Sequence, residues 1–387
     1  MYLYTSIFCA GIQNMVTQMF FDTHYPKNKE TLMAVTLFFG ALFTVLGILA
    51  SAWTVGSRPS KRFEAKRPRL ILTAGMTLII LGTFSGLFFV KDAVLYTVLF
   101  STASFCVNYI YNVFDVFLTA DTDADKKEKN VRVLLGYQML GYMIAPLFFS
   151  AFVSVPSVCI GFAVTAGICS YLPAGLSYIG KGISVQNKAV PQKAETESTK
   201  RSGNYAPMCC CFFMFTAVYM LLPSVAYLMK DYLNAENYAL QSSIFLAGIV
   251  LVSSAVILIG NASRLWRFNI LSPIALIIVL VLLLILKSGH AAILISAAAV
   301  SGIGYGVFLS GSRYFVNAAD AHCGLVTKYN RTMTAASLFG YLFSAGIGFL
   351  CEQNGIAVVP VKFCIIILFL AAAACVSLMI KHNAADR

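Results

Sequence analysis

Charge is what this sequence has least of. Only 11% of its 387 residues are charged, against about a quarter in an ordinary soluble domain, while 59% are apolar. A chain of that composition cannot cover a fold with polar surface in water. The motifs of soluble chemistry are missing too. No G-x-x-x-x-G-K-[ST] loop occurs, which excludes an ATP-driven pump carrying its own nucleotide site. The histidines His24, His290, His322 and His382 are far apart, without metal-ligand spacing and without a G-x-S-x-G elbow to accompany them. No C-x-x-C or Cys/His pattern is present. The sequence therefore predicts no enzyme activity, no cofactor and no metal site.

The 11 cysteines lie nearly all inside apolar stretches and read as small reduced residues. The run Cys209 to Cys211 points in three directions around a helix. That favours helix packing over lipidation or convergence on one soft metal ion.

What is abundant is long apolar sequence. A helix needs about 20 apolar residues to cross the hydrocarbon core of a bilayer. Cutting the chain at its charge and Gly/Pro/Asn clusters gives 12 such stretches: 1–21 (α1), 31–55 (α2), 70–90 (α3), 94–119 (α4), 132–154 (α5), 157–179 (α6), 206–229 (α7), 239–260 (α8), 268–287 (α9), 290–311 (α10), 331–351 (α11) and 357–380 (α12). The expected fold class is all-α and polytopic, in a bilayer. The polar stretch from Lys181 to Asn204 lacks apolar periodicity and reads as a linker. It divides the chain into a six-helix bundle over 1–180, a cytoplasmic linker over 181–205 and a second bundle over 206–387. The first span has no basic leader and no small-residue cleavage site, so it is expected to be retained as a helix.

The formal charge of +12 would suggest nucleic acid in a soluble protein. Here 22 of the 28 basic residues fall after even-numbered spans or in the tail. The positive-inside rule reads this as topology, with both termini cytoplasmic, and nucleic acid is excluded as a partner.

The segment entering α5 repeats in the segment entering α11. Asp121, Lys129, Arg132, Gly141 and Tyr142 are matched by Asp320, Lys328, Arg331, Gly340 and Tyr341 at a single offset of 199 residues. Parallel six-helix halves around a central cavity are a transporter architecture. Helix count, half-chain repeat and central linker together resemble the major facilitator superfamily over essentially the whole chain. Gly56 followed by Arg58, Lys61, Arg62, Lys66, Arg67 and Arg69 is similar to that family's loop after the second helix, with Ser60 at the usual acidic position. Gly141-Tyr142-Met143-Ile144-Ala145-Pro146 looks like the family's antiporter motif G-x-x-x-G-P, with Ala in place of the second Gly. Gly141 and Pro146 are then hinge candidates, against a plain Pro-kinked packing helix. The arginine that many exporters of the family carry in α4 has no counterpart here.

Polar side chains within a span are default site candidates. Ser101, Ser104, Asn108, Asn112 and Asp115 in α4 follow helical spacing and form one stripe. Asp115 is the one acidic residue placed within a span. Three readings stand for it: a latch onto the basic loop with Arg62 and Arg67, a proton or substrate site, or a solvated helix end. The substrate-binding candidates are Asn14 and Gln18 on α1, Asn108 and Asn112 on α4, Gln138 and Tyr142 on α5, Tyr219 and Tyr227 on α7, and Tyr305 on α10, with Tyr137 as a further candidate. For each, interhelical hydrogen bonding is the alternative role. Gly302, Gly304, Gly306 and Gly311 in α10 suit close packing, and Arg313 after them is expected to reach the cytoplasmic interface.

The resemblance implies a secondary transporter of a small solute, working as a monomer in a lipid bilayer and coupled to protons. The helix 5 motif and an aromatic, charge-poor interior lean toward export of an amphipathic drug or metabolite. Nutrient symport or facilitated uptake is the alternative, with a channel, receptor or membrane enzyme as weaker ones. Short loops suggest a prokaryotic inner membrane, while the many cysteines fit a eukaryotic membrane as well.

Overall fold

The computed structural model describes residues 20–25, 29–55, 75–119 with gaps at 77, 84–85 and 88, shorter pieces of 155–167, and 124–152, 206–233, 238–260, 269–287, 290–319 and 324–385. At some helical positions only the backbone is described. The expected bulk of α1, the basic loop after α2, the end of α6 and the 181–205 linker lie outside these residues.

The helices observed are α2 at Lys29–Val55, α4 at Ala93–Thr119, α5 at Ala124–Phe152, α7 at Ala206–Tyr227, α8 at Tyr238–Ile259, α9 at Leu271–Leu286, α10 at Ala291–Ala319, α11 at Gly324–Gln353 and α12 at Val358–Ala385. A four-residue helix at Phe21–His24 stands where the α1 stretch is expected to end. Several helices outrun their apolar windows. α5 begins at Ala124 and α11 at Gly324, each about seven residues ahead of expectation, and α10 runs on to Ala319. The extra turn and more at the start of α5 is Ala-Asp-Lys-Lys-Glu-Lys, strong helix formers apart from the Asp, and α-helix hydrogen bonding continues wherever propensity allows it. The apolar window marks the part a bilayer would cover, which is shorter than the helix.

α7 passes through Pro223 and ends in a π-turn at Leu228–Tyr232, closed by the Leu233 N–H to the Leu228 carbonyl at 3.0 Å. Tyr232 Oη then donates to the Leu284 carbonyl of α9 at 2.8 Å, and Lys287 Nζ lies 5.3 Å from the centre of the Tyr232 ring.

Packing follows the repeat. In the first half α2 lies along α4, and in the second α8 lies along α10; across the halves α5 lies along α8 and α11 along α2. Each pairing maps onto its counterpart when the halves are exchanged. Among the described residues there are two apolar cores. One gathers Phe20, Phe21, Ile80, Tyr96, Phe100 and Ile110. The other gathers Met214, Phe215, Met220, Phe308, Phe363 and Ile366, and takes in Leu135 and Met139 from α5. The second core supports packing as the role of Cys210 and Cys211, both buried, with Cys209 exposed beside them.

Large apolar side chains cover much of the outside: Ile259 is 85% exposed, Phe89 84% and Val94 72%. In water such a surface would drive association; against lipid chains it is the matching surface. Five helices among the described residues are long and apolar enough to cross a membrane, in α4, α8, α10, α11 and α12. The chain is a multi-pass membrane protein.

Candidate functional site

Between the halves lies a cavity of about 470 Å³, part of it open to solvent. Its polar lining is Gln138 from α5, Tyr219 from α7, Tyr305 and Arg313 from α10, and Tyr329 and Asn330 from α11. Leu135, Met139, Leu309 and Met333 supply the apolar walls. Tyr305 stands near the middle of α10, about 21 Å from the Ala319 end at 1.5 Å per residue. Arg313 and Asn330 lie closer to that end, the one from which the basic loops emerge. The cavity therefore runs from mid-bundle toward the basic end.

A chain of hydrogen bonds closes that end across the halves. Arg313 Nη1 donates to Asn330 Oδ1 at 3.0 Å. Asn330 Nδ2 donates to Asn112 Oδ1 of α4 at 2.9 Å, and Asn112 Nδ2 donates to Ser51 Oγ of α2 at 2.7 Å. Ser51 Oγ donates in turn to the Ile48 carbonyl at 2.8 Å. Ser51 and Asn112 have no exposed surface, and Asn330 and Arg313 are each 3% exposed. Four polar side chains so placed are tolerable only because each hands a hydrogen bond to the next. The Arg313 guanidinium also lies 5.2 Å from the centre of the Tyr329 ring, whose hydroxyl is 3.2 Å from Ser312 Oγ.

A second bond joins the halves at the same end. Arg132 Nη1, in the first turns of α5, donates to the Gly260 carbonyl at the end of α8, 3.2 Å away. A cation at a helix C-terminus satisfies a free carbonyl and opposes the negative end of the helix dipole. Nearby, a Cβ on Gly136 would stand 2.5 Å from Leu258 Cδ2, so the absence of a side chain lets α5 and α8 close.

Of the sequence candidates, the structure brings Gln138, Tyr219 and Tyr305 together in the cavity. Asn112 sits in the contact between halves. Asn108 faces α2, donating to Thr44 Oγ1 at 3.0 Å and to the Ser104 carbonyl at 2.8 Å. Tyr137 is 48% exposed on the outside and takes no part in the cavity. Gly141 is buried in α5. The side chains of Asp115, Tyr142, Pro146 and Tyr227 are outside the described set, as are Asn14, Gln18, Arg62 and Arg67 altogether. Arg313 corrects its sequence reading: it is buried in the cavity wall, because α10 continues two turns beyond the apolar stretch that seemed to end before it. Tyr329 and Asn330 are additions. Both precede the apolar part of α11, so a search confined to apolar spans passes over them; Arg331, one member of the repeated pattern, is the nearest sequence signal.

No protein-family model matches the sequence, and no curated protein matches it either. Among solved structures, the human organic anion transporter MFSD10 (TETRAN) superposes with a TM-score of 0.66 at 12% identity, covering 96% of this chain and 97% of its own. The fold is that of the major facilitator superfamily. The superfamily transporter FucP, in its outward conformation, gives 0.62 at 11% identity over 98% and 97% of the two chains. That fold has 12 helices in two six-helix repeats around a central cavity, as the 199-residue repeat predicts, and identities this low speak for the fold alone.

Proposed function

We propose that this chain is a secondary transporter that moves a small solute through the cavity by alternating access, as a monomer, with halves 1–180 and 206–387 joined by a cytoplasmic linker. The observation that carries the reading is the placement of the cavity. It lies where the two repeats meet, and buried hydrogen bonds close one side of it, so rocking one half against the other exchanges the open side. Charge placement supports a cytoplasmic position for the closed, basic end and for both termini. Short loops suggest a prokaryotic inner membrane. Likeness to FucP in its outward conformation supports a state closed toward the cytoplasm.

The finer reading is proton-coupled export of an amphipathic drug or metabolite. It is supported by the tyrosine-rich cavity and by the antiporter-like run Gly141 to Pro146, which places a hinge in α5 against α8. Asp115, with Arg62 and Arg67, is proposed to form the gate or proton-coupling group at the cytoplasmic end. An acidic lining residue is lacking among the described cavity side chains, which also suits facilitated transport.

The test is purified protein in liposomes loaded with a pH-sensitive dye, given a panel of amphipathic solutes, with Asp115→Asn beside it. Solute-dependent proton movement that Asp115→Asn abolishes is the expected result. Flux without proton movement, unchanged in the variant, overturns the coupled reading and favours facilitation. Absence of flux for every solute counts against transport itself.

A further inference from the structure

Tyr305 is held in the cavity wall by the backbone on either side of it. A Cβ on Gly304 would stand 3.2 Å from the Ser272 carbonyl oxygen of α9, and one on Gly306 would stand 2.9 Å from that of Ser253 of α8. α10 is thus packed against two helices at the turn that carries Tyr305, and the half-buried ring lines the cavity from a backbone with little room to shift. Among the described lining residues the two other rings are engaged. Tyr219 sits 5.6 Å from the Tyr341 ring, centre to centre, and Tyr329 lies 5.2 Å from the Arg313 guanidinium. Tyr305 makes neither a ring contact nor a hydrogen bond with any described residue, although the Tyr219, Tyr329 and Tyr341 phenols are within electrostatic reach. Two thioethers, Met139 and Met333, line the same cavity. An aromatic ring has a negative face and a positive edge, so a fixed ring beside a void favours a second π system in offset or edge-on contact. Methionine sulfur adds favourable contacts at a ring edge, and a saturated group gains neither.

We infer that the cavity takes solutes carrying a planar aromatic ring, and that Tyr305 is the residue that distinguishes such a ring from a saturated one of the same size. This rests on the transporter reading and adds the chemistry of the solute's body, whatever the charge of its head group. Because neighbouring backbone fixes Tyr305 beforehand, little ordering of the wall has to accompany binding. Burial of apolar area by itself gives the opposite preference, since a cyclohexyl ring carries more apolar surface than a phenyl ring. The sign of the preference therefore separates recognition by a ring from a merely greasy pocket.

The test uses the full chain with Met333→Cys as a reporter in the wall, its labelling by a methanethiosulfonate corrected for that of the native thiols. Three matched pairs of probes are added as protectants: phenylacetate and cyclohexylacetate, phenylacetamide and cyclohexylacetamide, benzylammonium and cyclohexylmethylammonium. In the pair whose head group protects best, the phenyl member is expected to protect at a concentration about threefold to tenfold below its saturated partner, the scale of one aromatic pair. Tyr305→Leu should abolish or reverse that preference, and Tyr305→Phe, which keeps the ring, should retain it. Equal protection within the pairs, stronger protection by the cyclohexyl members, no protection by any probe, or a phenyl preference untouched in Tyr305→Leu would each overturn the inference. If Tyr305→Leu fails to stay monodisperse, the phenyl and cyclohexyl comparison with Tyr305 in place decides alone. Liposome flux separates the two levels: transport of phenyl and cyclohexyl members at equal rates, without selective protection, keeps the transporter reading and removes this one. Phenyl-selective protection without flux of any solute does the reverse.

Discussion

The α2–α4 pair of the first half and the α8–α10 pair of the second hold equivalent places in the repeat and share a close backbone approach, at Gly47 against the Phe105 backbone in the first and at Gly302 and Gly306 in the second, but they differ in how side chains add to it. Between α2 and α4 the ties are side chain to side chain: Thr36 with Thr97 at 2.8 Å, Asn108 with Thr44 at 3.0 Å and Asn112 with Ser51 at 2.7 Å. Between α8 and α10 the backbones themselves approach. A Cβ on Gly302 would stand 2.7 Å from the Ile249 carbonyl oxygen, and one on Gly306 would stand 2.9 Å from that of Ser253. Ser253 Oγ in turn donates to the Gly302 carbonyl at 2.9 Å. Small residues and polar side chains are the two devices that join helices where lipid offers no hydrophobic drive; both pairs use the first, and the α2–α4 pair adds three bonds between side chains.

The difference matters for the site. In the second half no bond between side chains is described from α10 to α8, and α10 lines the cavity with Tyr305, Leu309 and Arg313. Among the described residues the first half contributes α5 alone to the lining, through Leu135, Gln138 and Met139. Of the α4 polar stripe, Asn108 is spent on α2 and Asn112 on α2 and the contact between halves. Chemistry therefore resides mainly in the second half, and the first supplies a wall and a latch.

Replacing Gly302 with Leu attacks the second half's device and carries the largest expected effect. The new side chain has no space against the α8 backbone, and overpacking of this kind costs about 3 kcal/mol or more, to be read as loss of the monodisperse peak and a lowered unfolding temperature. Asn112→Leu comes next. It removes the hydrogen bonds that Ser51 and Asn330 make with Asn112, at a cost of about 1–3 kcal/mol, and should increase thiol-reagent labelling of a cysteine placed at the basic end. Arg132→Gln removes the bond to Gly260 and should lower stability by about 1 kcal/mol or less, in the same unfolding assay. Asn108→Ala should cost only about 0.6 kcal/mol, the average for an interhelical hydrogen bond in a membrane protein, and leave the KM for solute unchanged. A raised KM would make Asn108 a solute contact after all and break the comparison. Gly346→Ala, with nothing within 4 Å of the added Cβ, should change stability by less than about 0.5 kcal/mol and serves as the null.

Much of this was legible in the sequence. Span length, charge placement and the 199-residue repeat sufficed for the fold, because a bilayer imposes length and polarity on every crossing helix. Tyr219, Tyr305 and Gln138 were found as polar residues inside spans. Helical spacing showed that Asn108 and Asn112 share a face with Ser101 and Ser104. It does not say whether that face meets a cavity or another helix, and for Asn108 it meets α2. Arg313, Tyr329 and Asn330 escaped for a different reason. An apolar window stops where the lipid would stop, whereas α10 and α11 run on for several turns, and the polar contact between halves is built in those extensions.

The central claim is that the contact at the basic end must open during turnover. Cysteines at positions 112 and 330, joined by a short bifunctional thiosulfonate in the reconstituted protein, test it most directly, with each single cysteine variant as a control for the native thiols. The account predicts that cross-linking stops solute flux in the double variant only, and that reduction restores it. Flux that continues at its full rate with the two residues cross-linked would contradict it.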